Sequence, residues 1–371
     1  MTPHATPDDA AARPPRPRAA RTSRRAHAVV PVLAAVLATS VLAAGCGVRL
    51  ETPPPAEPSP DAVETARAGA VDDALAVAGL VADVTPLVTD PAALEVLEQA
   101  STFATQHADA LGGVYDSGLG DLLDPDDGAP EGAHGAPDEP APEEAATDGV
   151  TTGDVTTGDV ATGDVTTDDV VTALVDAAQR AGASADVVPD AGLARLLASV
   201  AASEHLSAQR LATVTGSTVP DVAVPPAPVV EDAPAGVGAA DLATLVESED
   251  AAGYGYEVRA AQTEGDVRTA AVARAAEHRA RAQAWAVVAG TDGTAQDPRR
   301  VAYALTDDQD AAALARQVES DLAQTYASLV ATAAASSRSA AVALLAETWA
   351  SAVAWGAEPV AFPGFPERAA G

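Results

Sequence analysis

The sequence predicts an all-α protein made of two consecutive helical bundles. Three observations carry this. Apolar residues make up 47% of the 371 but aromatics only 3%, so any core is built from small and aliphatic side chains at close helix–helix distance. Alanine, the strongest helix former, dominates the composition. Apolar residues recur at spacings of three and four along eight stretches, divided by Gly, Pro and Asp where helices start and stop. At roughly 100–200 residues per domain, the length allows two domains with additional segments.

Before the helices comes an export segment. Residues 1–27 are polar and Arg-rich, and Ala28 to Ala44 are apolar or small. That run is short for a spanning helix and is broken by Pro31. A basic start, an apolar centre and small residues at Gly45–Cys46 predict a secretory signal over 1–45. Leu42-Ala43-Ala44-Gly45-Cys46 resembles the bacterial lipobox, which implies a lipoprotein acylated (palmitate) on Cys46 and anchored by that lipid to the outer face of the cell membrane. A Pro-rich tether over 46–60 follows, which would act as an extended spacer.

The first bundle is expected over 61–215. Its helices fall at 61–84, ended by Pro86, and 91–111, opened by Asp90-Pro91 and stopped by Gly112-Gly113. Two more follow at 168–181, closed by Gly182, and 190–213. Residues 116–166 lose the pattern and read as a disordered acidic insertion. They contain TTGDV repeats at 151–155 and 156–160, with ATGDV and TTDDV variants after them. The five-residue period is shorter than that of calcium-binding β-helix repeats and reads as a solvated linker.

A Pro/Val-rich linker spans 216–237. The second bundle, 238–362, is expected to hold helices at 239–264, 267–289, 306–335 and 337–356, the third capped by Thr306-Asp-Asp-Gln. The tail, 363–371, and the residues just before it carry three prolines that exclude a helix. Short corners around one crossover of about 16 residues are the connectivity of ferritin-like four-helix bundles.

Charge narrows the partners. The formal net charge is −33, and all 21 basic residues are Arg. Removing 1–45 takes away six Arg and two Asp, leaving 54 − 2 = 52 acids against 21 − 6 = 15 Arg, a formal −37. Such a chain does not bind nucleic acid or anionic lipid heads by charge. Attachment to the membrane therefore falls to the lipid on Cys46. With that one cysteine, no intramolecular disulfide forms.

The segment from about 240 to 362 resembles a family of bacterial lipoproteins, of actinobacterial type, that carry a C-terminal ferritin-like domain of unknown function. The residues behind this are Leu245-Val246-Glu247-Ser248-Glu249, Tyr254-Gly255-Tyr256, Ala276-Glu277-His278-Arg279 with Arg281, Asp310 through Glu319 and Tyr326, and Leu344 through Trp355. The resemblance implies a four-helix fold and no activity.

Helical spacing puts Glu249, His278 and Glu319 on inward faces, where they are candidate ligands for a single iron, manganese or zinc ion. A di-iron bundle needs Glu-x-x-His on two helices. Position 275 is Ala, position 350 is Ala, and no Glu-x-x-His occurs in the chain. The competing reading is a buried Glu–His–Arg cluster using Arg274 or Arg281, since buried charges need partners. Ser203-Glu204-His205 with Arg210 echoes 276–281, but His107 and His205 read as ordinary partly buried histidines. Trp285, Trp349, Trp355 and the Tyr254/Tyr256 pair read as core. No catalytic residue is implied. The sequence points to a membrane-anchored protein that binds or scaffolds in the cell envelope with an envelope protein as partner. The alternative is a degenerate ferritin-like metalloprotein with metal-handling or redox activity.

Overall fold

Eight α-helices and two short 3-10 turns, with no strand among the described residues, make up the computed structural model. It describes residues 59–115, 165–222, 230–305 and 310–368. The signal segment, Cys46, most of the tether and the TTGDV repeats lie outside the described residues. No helix of the described residues is long and apolar enough to cross a membrane.

The helices are α1 (Ala62–Val84), α2 (Pro91–Ala110), α3 (Thr167–Val187), α4 (Ala191–Thr215), α5 (Ala239–Ala261), α6 (Gly265–Val288), α7 (Ala311–Thr332) and α8 (Ser339–Ala354). Aspartates start four of them. The carboxylates of Asp61, Asp90, Asp190 and Asp310 each accept a hydrogen bond from the backbone N–H three residues on, which satisfies an otherwise orphaned donor. One boundary differs from expectation, and one expected start is not described. Helix α7 is capped by Asp310, whose carboxylate accepts from the Ala313 N–H, and the cap expected at Thr306-Asp-Asp-Gln lies outside the described residues. Helix α3 runs through Gly182 and stops at Val187, one residue before the Val188-Pro189 step, where the proline disfavours a helical predecessor.

Helices α1, α2, α4 and α3 form a closed square, each packed against two neighbours, around Val77, Val81, Leu97, Leu174 and Leu211. Helices α5, α6, α7 and α8 form a second square. Helix α8 also packs on α3 and α4, and α7 on α4, so one apolar core runs from Val71 and Leu197 through to Tyr326 and Leu344. The second square is parted along one edge. Helix α6 makes its extensive contact with α5 alone and reaches α7 and α8 through long side chains. Gly253 makes the α5–α6 contact close: a Cβ there would lie 2.9 Å from Arg279 Cδ, which crosses α5 to reach Asp250 and Glu257.

Beyond α8 the chain doubles back over the first square. Ser199 donates to the Pro363 carbonyl (2.7 Å), Ser203 to Val360 (3.2 Å) and Arg195 to Gly364 (2.9 Å), while Phe365 lies under the Arg195 guanidinium. Pro366–Arg368 makes a single 3-10 turn where the prolines were expected to exclude helix. Proline is tolerated at the first position of such a turn.

Gly364 fixes this course. Its φ is +75°, and a Cβ would lie 2.6 Å from Ala327 Cβ and 2.8 Å from the Ala323 carbonyl oxygen. Gly364→Ala combines left-handed strain with overpacking and is expected to cost about 2–4 kcal/mol. Urea denaturation reads this as a lower midpoint, and an unchanged midpoint would contradict the docked tail.

Candidate functional site: a buried ion network beneath a cleft

The centre of the second square is charged. His278, fully buried on α6, stands between Glu249 of α5 and Glu319 of α7. Its Nδ1 lies 2.7 Å from Glu249 Oε2 and its Nε2 lies 3.2 Å from Glu319 Oε1. Tyr326 donates to the other oxygen of Glu249. Glu319 is gripped harder. Arg274 donates to both its oxygens, at 2.6 and 2.7 Å, and Tyr256 (2.7 Å) and Ser351 (3.0 Å) donate to Oε1. Arg274 also pairs with Glu347 of α8 and with Glu277 one turn along α6, and Arg281 holds Glu347 at 2.7 Å.

These contacts fix the protonation. Carboxylate oxygens only accept, so a ring with a carboxylate at each nitrogen carries hydrogen on both. His278 is an imidazolium. Burial alone would lower its pKa, but Glu249 and Glu319 outweigh burial and raise it. Burial would likewise raise the Glu319 pKa, yet the bonds from Arg274 and His278 hold it far below the usual carboxylate range. Burial, reinforced by the adjoining carboxylates, pushes the phenols of Tyr256 and Tyr326 up, so both stay donors. With Glu277 left to solvent at the edge, the enclosed part of the cluster sets Glu249, Glu319 and Glu347 against Arg274, Arg281 and His278, so that charges are balanced as burial requires.

The three expected metal ligands are thus brought together, but not as a ligand set. A metal takes a ring nitrogen's lone pair, and here each ring nitrogen is already committed to a carboxylate. Glu249 and Glu319 also lie at opposite edges of the ring, so an ion beside one is remote from the other. Arg274 already occupies both oxygens of Glu319. Among the described residues, no group of three or more His, Cys, Asp and Glu side chains is arranged to hold a metal ion. These residues do not fit a single iron, manganese or zinc ion.

The network opens on one side into a cleft of about 940 Å³ between α4, α6 and α8. Arg274, Glu277, Glu347 and Ser351 form its polar floor, and the walls are mostly apolar, with Leu206 and Val214 on α4, Val267, Ala270 and Ala273 on α6, and Val353, Ala354 and Trp355 on α8. Trp355 packs against Tyr256 with ring centroids 5.8 Å apart, coupling the cleft wall to the network. Trp285, Trp349 and Tyr256 are buried as expected, but Trp355, in the cleft, and Tyr254, against Tyr303, are only half-buried.

Arg274 and Arg281 follow from the inward stripe of α6, whereas the pairing of Glu347 with them had no signal in the sequence. The cleft has no local pattern in the sequence, and neither does the pair His107 and Glu204. His107 is 1% exposed, donates from Nε2 to the Ala361 carbonyl at 2.8 Å, and has Nδ1 3.7 Å from Glu204 Oε1. Burial raises the Glu204 pKa against the pull of His107. His205 instead bonds the Asp221 carbonyl. The echo of 276–281 is therefore not matched in space: Glu204, not His205, makes the inward ion contact.

Residues 241–367 match the family model described as a domain of unknown function (DUF4439). The match runs from the first turn of α5 into the docked tail and holds every member of the ion network. No curated protein and no solved structure shows a match to the chain.

Two tests of the network follow. His278→Ala strands buried Glu249 without its cation and is expected to cost about 3–5 kcal/mol. The pH dependence has a defined sign. Because the folded-state value of His278 lies above its ordinary 6.5, its contribution is complete below about pH 6.5 and fades as pH rises through the folded value. Glu319 acts oppositely: its contribution is present above about pH 4.5 and is lost as pH falls through its depressed value. Urea midpoints of wild type and His278→Ala should converge on the alkaline side, and a constant gap would contradict the imidazolium.

Proposed function

We propose that the chain is an exported lipoprotein, held on the outer face of the cell membrane by acylation of Cys46, whose helical unit binds a ligand in the α4–α6–α8 cleft. It works in the cell envelope by binding or scaffolding, and not as an enzyme. The observation that carries the binding reading is the parted α6–α8 edge, where a mostly apolar cavity of about 940 Å³ lies over charged groups already fixed by one another. Ligand sites of this size are typically apolar with a few placed polar groups. The floor is preorganised, so an arriving ligand orders few side chains.

Support for the anchor comes from the sequence: the lipobox-like run before Cys46 and a chain too acidic to adhere by charge. Two or more acyl chains hold a protein stably, at about 0.8 kcal/mol per buried CH₂. The C-terminal segment is read as a ferritin-like bundle that has lost its metal ligands. This rests on the long α6–α7 crossover between the tight α5–α6 and α7–α8 corners. That crossover is tied to α5, with Tyr303 donating to Asp250 at 2.8 Å and Arg300 pairing with Glu247 at 2.5 Å.

Cys46→Ser is expected to move the protein from the membrane fraction to the soluble one or to block its maturation, and unchanged retention overturns the anchor. For the cleft, the neutral fluorophore N-phenyl-1-naphthylamine should bind the folded Cys46→Ser chain. Ala273→Phe, which fills the cleft from an exposed position on α6, should abolish that binding. A probe that does not bind overturns the ligand-binding reading.

A further inference from the structure

The cleft carries a charge that the ion network does not use. Arg210 stands on α4 between Leu206 and Val214, one turn to either side, and all three line the cavity. Its side chain is half-buried. Its hydrogen-bond partner is the side-chain oxygen of Gln99, a neutral amide, and no carboxylate pairs with it among the described residues. Below it lie Val96 and Leu206, 4% and 5% exposed.

The other charges of the cavity are committed or solvated. Arg274, Glu277 and Glu347 hold one another at the floor. Asp266 is exposed in the first turn of α6, where the helix end favours a carboxylate. A ligand entering along the apolar walls therefore meets one cation whose donors are not matched by an anion. A guanidinium beside apolar surface is suited to a planar or tetrahedral oxyanion, which it takes by paired N–H···O bonds.

On the reading of the cleft as a ligand site, we propose that it takes an amphiphile with an oxyanion head, a carboxylate or phosphate monoester on an alkyl chain. The head pairs with Arg210 in place of Gln99, and the chain lies against Val267, Ala270, Val353 and Trp355. The acidity of the whole chain does not forbid this, because its field is screened within about 10 Å at 0.1 M salt. Direct contact with Arg210 decides the sign of the head.

Competition against bound N-phenyl-1-naphthylamine on the Cys46→Ser chain tests the proposal, using dodecanoate, dodecyl phosphate, dodecanol and dodecylamine below their micellar concentrations. The anions should displace the probe at concentrations at least about tenfold lower than dodecanol, the size of one charge-assisted hydrogen bond. Arg210→Gln should remove that advantage while leaving dodecanol unchanged, with circular dichroism confirming the fold. The order of dodecanoate and dodecyl phosphate tells a fatty-acid head from a phosphorylated one. Equal binding of dodecanol and the anions overturns the oxyanion head while leaving the cleft a ligand site, and tighter binding of dodecylamine overturns it in favour of Asp266. Failure of the probe and of all four amphiphiles overturns both readings. A dimer broken by Ala273→Phe would then assign the cleft to a second copy of the chain.

Discussion

One imidazolium between two carboxylates organises the C-terminal half of this protein. His278 carries hydrogen on both nitrogens because each faces an oxygen that can only accept. That single protonation state balances the enclosed charges of the cluster. Without it, Glu249 would be a buried anion with only Tyr326 against it, a condition that proteins avoid by shifting pKa or unfolding. With it, α5, α6 and α7 are tied through one ring, and Arg274 extends the tie to α8. Such clusters contribute little net stability relative to a well-packed apolar core, since desolvation offsets attraction. What this one supplies is register: each helix has one position at which its charge finds a partner.

The same charges shape the cleft. In an Ala-rich bundle, helices approach closely wherever both faces are small, as α5 and α6 do at Gly253. Between α6 and α8 the facing residues are Arg274 and Arg281 against Glu347. These long side chains meet end to end and hold the backbones apart, so the edge cannot close without burying charges in new pairings. Alanines at 270, 273, 350 and 354 are too short to fill the gap that the ion pairs prop open. The cavity is thus a consequence of putting long ionic side chains and alanines on the same pair of faces, and its charged floor and apolar walls have one origin.

Much of this was legible in the sequence because it is periodic. All eight helices, the aspartate cap at Asp90 and the inward placement of Glu249, His278 and Glu319 follow from spacing and local pattern, whereas the caps at Asp61 and Asp310 do not. Arg274 and Arg281 lie on the same stripe as His278, which already suggested an ionic cluster. What the sequence could not show depends on angles and distances between elements. Whether two carboxylates lie beside an imidazole or on either side of it is invisible to periodicity, yet it separates a metal site from an ion network. The docking of the tail on His107 and Ser199 depends on residues more than 150 positions away in the chain. Gly182 misled the reading of α3 because a glycine marks a helix end only when nothing packs to sustain the helix.

The comparison with metal-binding bundles can be taken further on charge alone. Four-helix interiors that gather carboxylates need compensating positive charge, and in metalloproteins an ion supplies it. Here three cationic side chains from one helix supply it: Arg274, His278 and Arg281 at spacings of four and three along the inner face of α6. A cation delivered by a side chain is always present, so the fold needs no loading step and responds to pH where a metalloprotein responds to chelation. It also consumes the coordination capacity of the carboxylates. Glu319 accepts five hydrogen bonds and Glu347 is held by two arginines. In an interior so saturated, the carboxylates are already committed to hydrogen bonds with this chain's own side chains.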